Sequence, residues 1–157
     1  MSLQELWQWS YSSPTIEILR NSKYAIPVIQ SFHLFAITLV LGGTVILNLR
    51  LLGLGFRELP MEVLARPIWR WMIAGLLLAM LTGFLVFIPD PARYAANRAF
   101  RTKMAALCIA VTFQFLIFRK VISAPESRSA SRRIAACTSL VLWFFVGWAG
   151  RAIAFLG

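Results

Sequence analysis

Four long apolar runs dominate the chain. They cover residues 24–49, 68–88, 100–118 and 134–156. A helix needs about 20 residues to cross a hydrocarbon core of about 30 Å, so each run is long enough to span a membrane. Lipid cannot satisfy free backbone groups, and the runs do not alternate as the strands of a membrane barrel do. The predicted fold is therefore all-α, an integral membrane four-helix bundle in which the whole chain, 1–157, forms a single membrane domain.

Short helices are predicted outside the four runs. The first segment carries apolar residues at helical spacing, Leu3, Leu6, Trp7 and Tyr11, with polar residues between them. This pattern is typical of a helix that lies in the membrane interface. Ser13 and Pro14 then predict an N-cap and a first helical residue, opening a second short helix that ends near Asn21. Asp90 and Pro91 give the same start signal in a later loop.

Composition supports a membrane location. Hydrophobic residues make up 59% of the 157 residues and charged residues 14%, whereas soluble domains have about 25% charged residues. The chain has 16 Lys and Arg against 6 Asp and Glu, a net charge of +10. Such a balance in a soluble chain suggests nucleic-acid binding, but here the basic residues cluster between the apolar runs. We therefore expect the lipid bilayer as a partner, and no nucleic acid.

The distribution of basic residues predicts an orientation. Side A is defined as the side of the membrane that holds the N-terminus, and four spans return the C-terminus to it. Side A carries Arg20, Lys23, Arg93, Arg98, Arg101, Lys103 and Arg151, and side B carries Arg50, Arg57, Arg66, Arg70, Arg119, Lys120, Arg128, Arg132 and Arg133. The excess on side B favours side B in the cytoplasm. The expected location is a bacterial inner membrane with periplasmic termini and no cleavable signal peptide.

Polar residues inside the spans form three stripes on a helical wheel. The stripes are Gln30, His33, Thr44 and Asn48 in the first span, Lys103, Ala110 and Gln114 in the third, and Arg151, Gly147, Phe144 and Cys137 in the fourth. Because polar groups are costly in lipid, each stripe is expected to face the bundle interior. The cysteines Cys108 and Cys137 both lie inside apolar runs, with no disulfide framework and no metal-binding spacing.

These stripes predict a haem b site on side A. His33 lies about 11 Å into the membrane by helical rise, and neutral imidazole is a standard axial ligand of haem iron. Lys103 and Arg151 would hold the haem propionates, and Gly147 would leave room for the edge of the macrocycle. With one His in the chain, the second axial position is open, taken by Met80, or supplied by another subunit. The alternatives without a cofactor are an interhelical hydrogen bond for His33 and snorkelling of Lys103 and Arg151 to the lipid head groups.

Short motifs add a resemblance. They are His33 in the first span, the LRLLG string at 49–53, Phe100 and Lys103 opening the third span, and Gly150-Arg151 near the end. This set resembles a group of small bacterial membrane proteins and is distantly similar to the CopD-like superfamily and to HemJ-type protoporphyrinogen oxidases. The resemblance implies a haem-binding or porphyrin-handling bundle, with His33 and Lys103 in the matching positions. Two departures are Asn48, where the small family has an acidic residue, and Phe155, where it has Tyr.

Four functions are compatible with this pattern. The leading hypothesis is a haem b-binding membrane protein that passes electrons or serves a partner redox complex, alone or as a homo-oligomer. A HemJ-like enzyme acting on a porphyrinogen is the second. A CopD-like copper or ion transporter is the third, although the five Met residues do not cluster on one face with His33. The fourth is a structural membrane subunit without a cofactor.

Overall fold

The computed structural model describes residues 12–122 and 129–156, and every regular element in these ranges is helical. The elements are α1 (Pro14–Asn21), α2 (Ala25–Leu52), α3 (Met61–Phe87), α4 (Pro91–Ala96), α5 (Arg98–Thr112), the π-helical turn π1 (Phe113–Phe118), α6 (Arg119–Ile122) and α7 (Ser129–Leu156). The predicted all-α class is confirmed, as are the short helices that begin at Pro14 and Pro91. The interfacial helix predicted around Trp7 lies outside the described residues.

Four helical stretches are long and apolar enough to cross a membrane. They are Ala25–Leu52, Met61–Phe87, Arg98–Val121 and Ala130–Arg151, with mean hydropathy between 1.4 and 1.9. The third stretch runs without a break through α5, π1 and α6. These four stretches match the four predicted spans, and the chain is a multi-pass membrane protein.

The helices extend beyond the predicted spans. The largest difference is at α3, which begins at Met61 rather than at residue 68 and continues through Pro67. Hydropathy detects only the part of a helix that lies in hydrocarbon. The additional turns of α3 carry Arg66, which is exposed and suits the head-group region. The apolar run therefore marked the membrane core but not the ends of the helix.

The spans pack in the order α3, α2, α7, α5. The most extensive contacts join α2 to α3, and α7 contacts both α5 and α2. One core cluster centres on Leu47, Met72 and Phe118, and a second on Val40 and Trp143. Aromatic pairs connect α3 to the third span: the stacked rings of Phe87 and Phe100 have centroids 5.6 Å apart, and those of Trp69 and Phe115 are 5.3 Å apart.

Side-chain contacts fix the loops on side A. The Arg20 Nε donates to the Pro89 carbonyl oxygen at 2.9 Å, which ties α1 to the end of α3. Asn97 is the N-cap of α5, because its Oδ1 accepts from the backbone N–H of Ala99 at 2.8 Å and of Phe100 at 3.2 Å. The helix that carries Lys103 therefore starts at a defined position.

At Gly75, α3 lies against the backbone of α2. A Cβ at this position would lie 2.9 Å from both the Ala36 carbonyl oxygen and the Leu39 Cβ. Small residues let membrane helices approach until their backbones are in contact, and Gly75 has this role here. Gly42, on an exposed face of α2, would meet nothing within 4 Å if it carried a Cβ.

We predict that Gly75→Ala lowers the free energy of unfolding by about 1–3 kcal/mol, because α2 and α3 have to separate to admit the methyl group. Gly42→Ala is the matched control and should leave stability unchanged or slightly raised. Reversible unfolding of the purified protein in mixed micelles measures both. Equal stabilities of the two variants would contradict the close packing at Gly75.

Candidate functional site

His33 lies half-buried on α2 and faces α3. Its Nδ1 atom is 2.9 Å from the Oγ1 of Thr82, a buried residue on α3. The same Oγ1 lies 2.6 Å from the carbonyl oxygen of Leu78 and 3.3 Å from that of Ala79. The imidazole is therefore attached to the neighbouring span through one side-chain hydroxyl.

The single proton of the Thr82 hydroxyl can go either to the Leu78 carbonyl oxygen or to an unprotonated His33 Nδ1, depending on the imidazole tautomer. We assign it to the Leu78 carbonyl oxygen, which is the shorter contact at 2.6 Å. With this assignment, Thr82 Oγ1 accepts the proton of His33 Nδ1. In a neutral imidazole with Nδ1 protonated, Nε2 carries the lone pair. Metal-binding histidines are commonly held in this way, with one nitrogen donating to the protein and the other left for the metal.

Gly83 provides the space for the ring. A Cβ on Gly83 would lie 3.2 Å from His33 Cε1, closer than most side-chain contacts. Thr82 and Gly83 are adjacent on α3, so one residue orients the imidazole and the other makes room for it. Sequence reasoning missed both roles. On this helix it singled out only Met80, as a possible second axial ligand.

Lys103 belongs to the same half of the bundle. It is half-buried on α5, and a Cβ on Gly150 of α7 would lie 3.5 Å from Lys103 Cε and 3.6 Å from Nζ. Among the residues that the structure describes, no carboxylate forms an ion pair with Lys103. His33 and Lys103 both lie within the first turns of their helices at the side-A end of the bundle.

The other three predicted site residues are exposed. Met80 is 61% exposed, because it lies two residues before Thr82 and so on the opposite face of α3. Gly147 is exposed, and a Cβ there would meet nothing within 4 Å. Arg151 is exposed at the side-A end of α7.

The predicted inward stripe of α7 is corrected by the structure. Phe144 is 76% exposed and Cys137 is an exposed free thiol on the same face as Arg151. The bundle side of α7 instead carries mostly small residues, together with Trp143 and Val146; the small residues are Ala135, Ala136, Ser139 and Ala149. Large apolar side chains also lie on the exposed face of α7, so a wheel of polar residues could not identify which face packs. Small side chains did so, because they allow close approach.

A second polar group lies deeper in the bundle, and we name it the polar cluster: Thr44, Asn48, Gln114, Ser139 and Trp143. Asn48 Nδ2 is 3.1 Å from Ser139 Oγ, which is 3.1 Å from Gln114 Oε1. Trp143 Nε1 donates to the same Gln114 Oε1 at 3.3 Å. The first- and third-span stripes therefore face inward at Thr44, Asn48 and Gln114, whereas Gln30 is exposed.

The donor set for a metal is small. In residues 12–122 and 129–156, no three or more His, Cys, Asp and Glu side chains come together in a group that could hold a metal ion.

Comparisons with known proteins identify a family. A family model described as "Family of unknown function (DUF6644)" matches residues 16–156. No curated protein and no solved structure matches the chain. The similarity to CopD-like and HemJ-type proteins stays a prediction, because no match supports it.

We predict that the imidazole of the haem-free protein carries its proton on Nδ1 at a pH where it is neutral. The chain has one His, so ¹⁵N-histidine labelling gives a single pair of ring-nitrogen signals in solid-state NMR spectra of the protein in bilayers. Thr82→Val should move part of the proton population to Nε2, because the acceptor for Nδ1–H is lost. Thr38→Val, which removes an exposed hydroxyl bonded to the Leu34 carbonyl oxygen, is the control. A wild-type ring protonated on Nε2 would contradict the assignment.

Proposed function

The chain belongs to the family of unknown function DUF6644, and from its own residues we propose that it is a haem b-binding protein that passes electrons to or from a partner redox protein. We place it in a bacterial inner membrane with side A in the periplasm. The proposal rests on the hydrogen bond between His33 and Thr82.

That hydrogen bond supports ligation because it leaves Nε2 available. A histidine that served only to join two helices could donate from either nitrogen. Here the engaged nitrogen is Nδ1, and the acceptor Thr82 is held in turn by the Leu78 carbonyl oxygen. A donor bond from the ligand's second nitrogen fixes the ring and raises its basicity. The side chains on α2 and α3 therefore fit a haem iron bound at His33 Nε2.

Lys103 supports the same ligand. Burial penalises an ammonium group unless an anion compensates its charge, and Lys103 is half-buried without a carboxylate partner among the described residues. A haem propionate supplies such an anion. Lys103 and His33 both lie near the side-A ends of their helices, and we propose that both serve one bound group on that side. We assign the propionate contact to Lys103 first, with Arg151 as a second cation at the exposed edge of side A.

The remaining residues define the site's limits. Met80 is turned away from His33, so we place it outside the haem site. In this chain, His33 would be the residue that holds the haem iron. When haem is bound, its iron supplies one-electron transfer. This chain's part is to hold the imidazole, compensate the propionate charge and surround the group with apolar side chains that exclude water.

We predict that His33→Ala abolishes the Soret band of the reconstituted protein. Thr82→Val keeps the ligand but loses its orientation, so haem affinity should fall by about 10- to 100-fold. Met80→Leu is the matched control on α3 and should bind haem as the wild type does. Absorption titration of the haem-free proteins with haemin measures all three.

Two results would contradict the proposal. A wild-type Soret band in His33→Ala would eliminate the ligand assignment, since the chain has no other His. Absence of haem binding in the correctly folded wild type would favour a cofactor-free role, in which His33 only joins α2 to α3. Oxidation of a porphyrinogen by the haem-loaded protein would point instead to the HemJ-like enzyme.

We predict that Lys103→Met weakens haem retention and shifts its midpoint potential more strongly than Arg151→Leu does. The half-buried cation faces a lower dielectric than the exposed one, so its charge acts more strongly on the bound group. Redox titration of both variants, with dissociation followed by haem transfer to apomyoglobin, measures the two effects. Unchanged retention and potential in Lys103→Met would leave that residue a membrane anchor.

A further inference from the structure

The polar cluster has more hydrogen-bonding groups than it has internal hydrogen bonds. Thr44, Asn48, Gln114 and Ser139 are at most 1% exposed. Even so, Thr44 Oγ1, Asn48 Oδ1 and Gln114 Nε2 have no hydrogen-bond partner among the described residues. Each such group costs free energy when it is removed from water without a partner. Three of them in one buried cluster point to a bound polar molecule.

The orientation of the two amide side chains follows from Trp143. The indole N–H can only donate, so the Gln114 atom beside it is the oxygen. Ser139 lies at hydrogen-bond distance from the same oxygen and donates its one proton to it. Ser139 Oγ is then the acceptor for Asn48 Nδ2. Asn48 Oδ1 and Gln114 Nε2 are therefore left over by necessity, whichever way the amides are first assigned.

Thr44 differs from four other hydroxyl residues of these helices. Ser31, Thr38, Thr82 and Thr102 each donate to the carbonyl oxygen four residues earlier. Thr44 makes no such bond. It lies one turn before Asn48 on α2, so its hydroxyl is on the same inward face. In a membrane helix, a hydroxyl group commonly donates to a carbonyl oxygen of its own helix. Because Thr44 does not, its hydroxyl proton is available to another acceptor.

The backbone of the third span is π-helical rather than α-helical at Gln114. Gln114 lies in π1, where the Arg119 N–H donates to the Gln114 carbonyl oxygen five residues earlier. The wider turn leaves Gln114 and Phe118 both fully buried. π-Helical turns inside α-helices are uncommon and occur frequently at functional sites.

We propose that the polar cluster binds one water molecule between α2, π1 and α7. The unpartnered set contains a donor at Gln114 Nε2, an acceptor at Asn48 Oδ1, and a Thr44 hydroxyl that can do either. The amide N–H₂ opposes a cation and the amide oxygen opposes an anion, whereas water matches both. Burial of every polar member excludes a ligand that enters from lipid. A buried water commonly makes about three hydrogen bonds, which is the number available here.

The inference does not depend on haem. His33 precedes Thr44 by 11 residues on α2, which places the polar cluster about 16 Å further towards side B. Failure of the water site would leave the His33 assignment intact, and loss of haem binding would leave the water site intact.

Water-edited solid-state NMR of the haem-free protein in bilayers tests the site directly. Glutamine labelled with ¹⁵N at Nε2 gives a Gln114 signal that is identified by its loss in Gln114→Leu. We expect magnetisation transfer from water to this signal in the wild type, reduced at least twofold in Thr44→Val and unchanged in Thr38→Val. No transfer in the wild type, with transfer observed to the exposed Gln30, would overturn the proposal.

Thermal unfolding gives a second test, because a bound water and a dry cluster predict opposite changes in the Tm of Thr44→Val. A hydroxyl bonded to water stabilises the fold, so Thr44→Val should lower the Tm by about 2–4 °C relative to Thr38→Val. A dry cluster predicts the reverse, because valine would remove an unsatisfied group while keeping the shape of threonine. A Tm of Thr44→Val equal to or above that of Thr38→Val would therefore count against the water site.

Discussion

Inside a bilayer, a polar side chain that leaves water has to find its hydrogen-bond partners within the protein, and the arrangement of this bundle follows from that requirement. His33 is satisfied by Thr82 of the next span, and Thr82 by the carbonyl oxygen of its own helix. Deeper in the bundle, Ser139 joins Asn48 to Gln114 across three helices. These two polar groups connect the pairs of helices that pack most closely.

Much of the fold could be predicted because the same requirement shapes the sequence. Continuous apolar runs can only be helices in lipid, so the four spans were evident. Polar residues are costly in lipid and therefore predict inward faces, and Asn48 and Gln114 are indeed buried. Helix ends were harder, since the first turns of α3, which carry Arg66, precede the apolar run that hydropathy detects.

The site was only partly predictable. Depth and helical phase alone predicted His33 and Lys103 in the same half of the bundle. The partners Thr82 and Gly83 could not, because nothing in a single helix says which neighbour it packs against. The Arg151 stripe failed for a related reason: on α7, exposed aromatic residues and buried small residues alternate around the helix, and packing of small residues overrode the polar signal.

The central claim is that His33 Nε2 binds haem iron, and pulsed EPR tests it most directly. Protein labelled with ¹⁵N only at histidine, loaded with haem and oxidised, has one labelled imidazole. The account predicts a hyperfine coupling between the ferric iron and one directly bound ¹⁵N, together with a weaker coupling from the remote Nδ1. A haem-loaded sample without any ¹⁵N coupling would show that the iron is held elsewhere and would contradict the account.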